Sequence, residues 1–212
     1  MELFRKIYYL VIAISFALFF NCVQAQTNET ENKLLSSRDK STIAIAVLTA
    51  KGDLVQLKSK LIGGLEAGLT INEIKEIVVH TYAYCGFPRS IRGLQTFMEV
   101  LEERKSKGII DQLGNEATKV INEEDKYSRG KSILQKLTNA TIPNTLSGYA
   151  AFAPIIDIFL KEHLFADIFE RDVLSFIQRE WVTISVISTI GEAEPMLKSH
   201  LLICLNLGVV PE

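Results

Sequence analysis

Cysteine and histidine are scarce in this sequence, with three of each among 212 residues. The histidines are scattered, and no cluster of Cys, Asp or Glu accompanies them with the spacing of metal ligands. We therefore expect neither a metal nor another cofactor. A phosphate-binding loop is also excluded, because Gly63 and Gly64 lack the flanking strand and the Lys-Ser/Thr signature of such loops.

Neither sign of charge is in excess. The 23 Lys and Arg are interspersed with 25 Asp and Glu, for a formal net charge of −2, so no basic face indicates a nucleic-acid partner. Apolar residues, by contrast, make up 48% of the chain, enough for the core of one soluble globular domain or two small ones. No stretch alternates like a strand for long, so we predict an all-α fold.

The first 25 residues have the pattern of a signal peptide. Arg5 and Lys6 precede the apolar run IYYLVIAISFALFFN, and the small residues Val23 and Ala25 offer a cleavage site. The run is short for a membrane span of roughly 20 apolar residues, and the polar QTNETENK begins soon after it, at Gln26. We therefore predict cleavage of residues 1–25, export to the periplasm or the medium, and no stable membrane insertion afterwards.

The cysteines allow further interpretations. Cys22 could carry a lipid anchor, although Asn21 stands where such signals want a small residue, so lipidation is the lesser alternative. Removal of the signal peptide leaves Cys85 and Cys204 in an oxidising compartment, too few for a disulfide scaffold. These two could pair with each other or stay free, and the sequence leaves both states open.

An internal repeat organises the rest of the chain. Residues 38–70 align with residues 179–210, with one residue dropped midway, so that apolar spacing and glycine positions coincide. The aligned positions include Arg38 with Arg179, Thr42 with Thr183, Leu57-Lys58-Ser59 with Leu197-Lys198-Ser199, and Gly68 with Gly208.

The sequence pattern of each copy predicts two helices, separated by a break near Gly52 in the first copy and near Gly191 in the second. The second helix ends at the glycine of EAG or NLG, because glycine adopts positive φ freely at a helix C-terminus. In the first copy, Thr70 and Glu73 then form a capping box for another helix, which runs toward Gly86. A further helix, IRGLQTFMEVLEERKSKG, closes the first unit.

These features divide the chain into a first repeat at residues 35–108, a linker at 109–148 and a second repeat at 149–212. The linker is polar and is expected to hold at most a short helix. We expect the second repeat to be incomplete, because it lacks a counterpart of residues 71–86.

Three stretches carry a resemblance to a known family: LEAGLTINEIKEIVVHTYAYCGFPRS, KEHLFADIFERDVLSFIQRE and EPMLKSHLLICLNLGV. Apart from the linker, the chain from about residue 35 onward resembles the carboxymuconolactone decarboxylase family, which shares its fold with alkylhydroperoxidase D. The resemblance implies a helical fold of two tandem repeats, the second one truncated. It also implies assembly into trimers or hexamers, with reactive side chains in pockets between packed helices or subunits.

The peroxidase branch of that family uses a Glu, a Cys-x-x-Cys pair and a His. By this resemblance, Glu180 matches that Glu and His200 approximately matches that His. Glu192 and Pro195 stand at the cysteine positions. In the first copy, Asp39, Lys51 and Lys60 stand at the positions of Glu180, Glu192 and His200. Both copies therefore lack the redox motif, and a disulfide cycle needs a second thiol to resolve the first.

The first candidate site lies in the helix that contains HTYAYC. At about 100° per residue, His80 shares a stripe with Tyr84, and Glu76 flanks it, so that a carboxylate could orient the imidazole. Cys85 lies about a third of a turn away, and only a break at Gly86 would turn it toward His80. The alternative is core packing, with a satisfied buried histidine and a buried thiol.

The second candidate site pairs His200 with Glu180. The turn GEAEP separates them, and they meet only if their helices pack antiparallel. An imidazole can take and return a proton near neutral pH while a carboxylate holds its tautomer, so such a pair suits proton transfer. The alternative is a structural ion pair. His163 we interpret as structural.

Three classes of function remain open. The first is a small-molecule enzyme that uses acid–base chemistry on an organic acid or lactone, with His80 and His200 as proton carriers and Glu76 and Glu180 as orienting groups. The second is a thiol peroxidase centred on Cys85, with His80 lowering the thiol pKa. The third is a non-catalytic binding or assembly protein. The extent of apolar helix surface also predicts a homo-oligomer.

Overall fold

A computed structural model describes residues 35–121 and 124–210. The predicted signal peptide, residues 1–25, lies outside these ranges, and so does Cys22. The described ranges contain helices and no strand, which confirms the all-α prediction. No helix within them has both the length and the apolar character that a membrane crossing requires. Residues Ser37–Val209 form one compact unit.

The first repeat begins with two helices joined by a tight turn. α1 spans Ser37–Lys51 and α2 spans Leu54–Glu66. Gly52 turns the chain with a φ of 72°, and the Asp53 side chain caps α2 by accepting a hydrogen bond from the Gln56 amide. The break at Gly52 and the two helices beside it were predicted from the sequence.

α3 is the longest helix and spans Ile71–Ser106. It begins with the predicted capping box, in which the Thr70 side chain accepts from the Glu73 amide and the Glu73 carboxylate accepts from the Thr70 amide. Gly86 interrupts the helix with a φ of 79° and a ψ of 162°, a conformation that glycine adopts readily. The helix is therefore kinked immediately after Cys85.

The segment predicted as a linker is more structured than expected. It contains α4, which spans Lys126–Thr138 and has 13 residues. The prediction of at most a short helix failed because only Gly130 and Leu137 of α4 are buried, so the segment reads as polar. Leu137 joins an apolar cluster with residues of later helices, namely Leu164, Phe165, Ile168, Phe169 and Ile203.

Three consecutive helical segments lead from α4 toward the second helix pair. α5 spans Gly148–Phe152, α6 spans Pro154–Ile158, and a π helix spans Phe159–Phe169. The π helix packs directly against α4. At the closest point, a Cβ atom added to Gly130 would lie 1.8 Å from the backbone oxygen of Lys161.

The last two helices form a second pair. α7 spans Phe176–Ile190 and begins with a capping box between Ser175 and Gln178, and α8 spans Glu194–Asn206. α7 packs against α1, α3 and α8, so the main core includes residues from both helix pairs. The helices of each pair have 15 and 13 residues in that order. These lengths agree with a tandem repeat, which stays a prediction.

Candidate functional site

Glu180 on α7 and His200 on α8 face each other. Between them the chain turns at Gly191, with a φ of 70°, and at Glu192, with a φ of 53°, which sets α8 against α7. His200 Nδ1 lies 2.8 Å from Glu180 Oε2. The structure thus forms the contact predicted for this pair, and the catalytic role of the pair stays a prediction.

The two side chains differ in their access to solvent. The Glu180 side chain is 0% exposed, whereas that of His200 is 13% exposed. An ionised carboxylate only accepts hydrogen bonds, so Nδ1 is the nitrogen of His200 that donates. In the neutral ring, Nε2 then carries the lone pair and is available to take a proton.

Tyr84 brings α3 to this pair. Its ring lies edge-on to the His200 imidazole, with centroids 6.4 Å apart and planes at 89°. Its hydroxyl is 2.9 Å from Thr183 Oγ1 on α7 and 3.3 Å from His80 Nε2. Burial raises the pKa of Tyr84 far above its ordinary value, so this hydroxyl keeps its hydrogen.

His80 is completely buried in the same cluster. Its ring packs edge-on against Phe169, with centroids 5.1 Å apart, and its Nδ1 has no hydrogen-bond partner among the described residues. Burial, followed by the charges of Arg179 and His200, lowers the pKa of His80 well below its ordinary value. The neutral, enclosed ring does not fit the predicted role of His80 as a proton carrier.

Glu76 does not orient His80, contrary to the sequence prediction. Its carboxylate accepts from Arg171 Nε at 2.8 Å, from Arg171 Nη2 at 3.0 Å and from Arg179 Nη2 at 2.8 Å. Burial by itself would raise the pKa of Glu76, but hydrogen bonds from Arg171 and Arg179 outweigh burial and lower it. Glu76 is therefore the ionised centre of a buried salt bridge that ties α3 to α7.

The thiol of Cys85 is hydrogen-bonded within its own helix and not to His80, although the chain does break at Gly86. The Cys85 thiol donates to the backbone oxygen of Thr81 at 3.1 Å. Burial raises the pKa of Cys85, and the opposing effects of this hydrogen bond and of the Arg89 charge are smaller. The thiol is thus kept protonated, which is typical of packing and does not support a peroxidase thiol.

Cys204 on α8 is more deeply buried than Cys85. Burial, followed by the negative charge of Glu180, raises the pKa of Cys204 to about 12. Both thiols are free, so of the two states that the sequence left open the structure has the unpaired one.

Tyr84, Thr183 and Arg179 belong to the site, and the sequence did not identify them as functional. Arg179 is completely buried, and besides Glu76 it binds the backbone oxygen of Arg171 at 2.6 Å. The repeat alignment marks the positions of Arg179 and Thr183 on α7, and Tyr84 shares a stripe with His80, but no sequence pattern shows that these side chains meet.

Within the described ranges, no three His, Cys, Asp or Glu side chains are grouped so that they could hold a metal ion.

The fold and the site define an all-helical protein with a carboxylate–imidazole pair between two adjacent helices. Residues 17–97 match the model of the carboxymuconolactone decarboxylase family. The match confirms the resemblance and agrees with the helical fold. It includes the candidate site around His80 and ends before Glu180 and His200. No curated protein matches the sequence.

Proposed function

We propose that the protein is a small-molecule enzyme in which Glu180 and His200 perform acid–base chemistry on an organic acid or lactone. The observation that carries this proposal is the 2.8 Å contact between a fully buried carboxylate and an imidazole that is 13% exposed. The match of residues 17–97 to a family named for carboxymuconolactone supports the substrate class.

The two residues have separate roles. Nε2 of His200 takes a proton from the substrate and returns it, since an imidazole changes charge near neutral pH. Glu180 accepts from Nδ1, which holds the tautomer and stabilises the imidazolium while the proton is on the ring. Because Glu180 is buried, water screens this interaction weakly.

A structural ion pair is the competing explanation, and it would leave a non-catalytic binding or assembly protein. The chain contains a matched control for it. His163 Nδ1 lies 3.1 Å from Asp167 Oδ2 on the π helix, and 49% of the His163 side chain is exposed. This second imidazole–carboxylate pair lies on the surface, where no proton transfer is proposed.

The test is turnover of a panel of lactones and keto acids. His200→Gln and Glu180→Gln should each lower turnover by a factor of about 10²–10⁴, which is the usual contribution of a general acid or base to the rate. His163→Gln should leave it unchanged, and thermal unfolding should confirm that each variant folds. Variants of His200 and Glu180 that lose stability but keep full turnover would make the pair structural and its proposed acid–base role wrong.

We also propose that the protein is exported, on the evidence of its N-terminal sequence pattern. Sequencing of protein recovered from its native cell should give a first residue near Gln26. Soluble protein that still begins at Met1 would contradict export and the oxidising compartment that follows from it.

A further inference from the structure

A chain of hydroxyl groups links α3 to α7 beside the proposed catalytic pair. Thr183 Oγ1 lies 2.9 Å from the backbone oxygen of Arg179 and donates to it. A threonine hydroxyl has a single hydrogen, so Thr183 has none to give to Tyr84. In the 2.9 Å contact between the two hydroxyls, Tyr84 therefore donates and Thr183 accepts.

The direction of this bond fixes the next one. Because the hydrogen of Tyr84 points to Thr183, its oxygen can only accept from His80 Nε2, 3.3 Å away. The neutral His80 ring then has its hydrogen on Nε2 and a bare Nδ1. The lack of a partner for Nδ1 among the described residues agrees with this tautomer, since a buried acceptor without a donor is tolerated better than the reverse.

The hydroxyl chain also determines where the Tyr84 ring lies. Thr183, which anchors the hydroxyl, stands one turn after Glu180 on α7, so the anchor and the carboxylate share one rigid helix. The Tyr84 ring lies edge-on to the His200 imidazole. A ring held at its far end by the helix that carries Glu180 limits the positions that His200 can take relative to that carboxylate.

We propose that Tyr84 is a positioning residue for the Glu180–His200 pair, and that His80 is a fixed hydrogen-bond donor to Tyr84 and not a proton carrier. The catalytic consequence rests on the proposed function. The bond directions and the placement of the His200 ring are properties of the folded protein alone. Positioning matters because a displacement of about 1 Å at a reacting group can lower a rate roughly 10²-fold.

The first test is long-range ¹H–¹⁵N NMR of the histidine rings in the full chain, which identifies the protonated nitrogen of each ring. We expect the hydrogen of His80 on Nε2 and that of His200 on Nδ1. Tyr84→Phe and Thr183→Val each break the chain and should lower the population of the Nδ1–H form of His200. Thr183→Ser keeps a hydroxyl and should preserve that form, and the exposed His163 ring should be unaffected throughout.

Two results of this NMR test would overturn the proposal. One is a wild-type His80 with its hydrogen on Nδ1, which needs no variant to observe. The other is a His200 ring that is unchanged in both Tyr84→Phe and Thr183→Val.

The second test is kinetic. Tyr84→Phe and Thr183→Val should each lower kcat about tenfold with KM unchanged. The double variant should be no slower than either single variant, because both changes interrupt the same chain. Unchanged kcat in variants that only lose stability would overturn the proposal. If the wild-type protein turns over no substrate, the proposed function fails separately and the NMR results decide the positioning role.

Discussion

The two helix pairs, α1–α2 and α7–α8, have equal lengths but unequal surroundings. In the first pair, Leu61 is 0% exposed and Leu65 is 9% exposed, because α3 packs over α2. At the aligned positions of the second pair, Leu201 and Leu205 are each 46% exposed. The same apolar pattern is therefore core in one pair and surface in the other.

The two helix pairs also differ in the side chains that stand at the positions of the candidate site. Asp39 and Lys60 stand in the first pair where Glu180 and His200 stand in the second. The covered pair thus supplies packing, whereas the pair with the open face carries the carboxylate and the imidazole. In this chain, stability and the proposed chemistry are divided between two similar helix pairs.

The largest expected effect is a loss of stability in Leu61→Lys, which is compared with Leu201→Lys at the aligned position of the second pair. Leu61→Lys puts an unpaired charge in the core and should lower the free energy of unfolding by about 3–5 kcal/mol. Leu201→Lys should change it by less than about 1 kcal/mol, because that position is at the surface. It should instead weaken self-association, which we propose occurs through three exposed leucines of α8, namely Leu201, Leu202 and Leu205.

Chemical denaturation measures the stability and sedimentation measures the assembly. Equal losses of stability in the two variants would remove the contrast between the helix pairs. A wild-type protein that stays monomeric at micromolar concentration would rule out the proposed homo-oligomer.

His80 offers a smaller effect, which depends on pH. The unfolded chain takes up a proton at the ordinary pKa of 6.5, but the folded protein does not, because burial lowers the pKa of His80. The stability linked to His80 is therefore complete above pH 6.5 and is lost as the pH falls from there toward the lowered folded value. The slope should approach about 1.4 kcal/mol per pH unit.

Urea denaturation at a series of pH values between about 7 and 5 checks this expectation. His80→Gln keeps a donor but does not titrate, so its profile should be flatter than that of the wild type. Glu76 does not affect the comparison, because its pKa is lowered in the folded protein. The stability linked to Glu76 is lost only below its ordinary pKa of 4.5, outside this pH window. Identical slopes in the two proteins would show that His80 is not held neutral by the fold.

The smallest effect should come from Cys85. Because burial raises the pKa of Cys85 and of Cys204, iodoacetamide should label both slowly in the native protein. Cys85→Ser should leave turnover of a lactone or keto acid unchanged. Peptide mass spectrometry follows the labelling. Rapid alkylation of Cys85, together with peroxide consumption that Cys85→Ser abolishes, would support the thiol peroxidase alternative.

Features that depend on neighbouring residues could be predicted from the sequence. Thr70 and Glu73 form their capping box within one turn, and Gly52 and Gly86 break the chain where their positive φ is needed. The contact between Glu180 and His200 could also be predicted, since only 20 residues and one turn separate them.

Contacts between distant parts of the chain could not be predicted. Arg171 and Arg179, which bind Glu76, lie 95 and 103 residues away from it, and no pattern around Glu76 indicates them. Tyr84 and Thr183 are 99 residues apart. The helical stripe correctly placed Glu76 on the flank of His80, but the arginines provide stronger charge-assisted hydrogen bonds to a buried carboxylate than a neutral ring does.

Gly130, where α4 meets the π helix, makes one position of the chain unusually intolerant of variation. Even the methyl group of alanine would overlap the Lys161 backbone, with 1.8 Å to its oxygen and 2.6 Å to its carbon. Unlike the end of a flexible side chain, the backbone of a packed helix cannot move aside without shifting the whole contact. In a library of all single substitutions, position 130 should therefore accept glycine alone, although charged residues flank it on both sides. α4, which few features of the sequence indicate, would then contain one of the positions that tolerate the fewest substitutions.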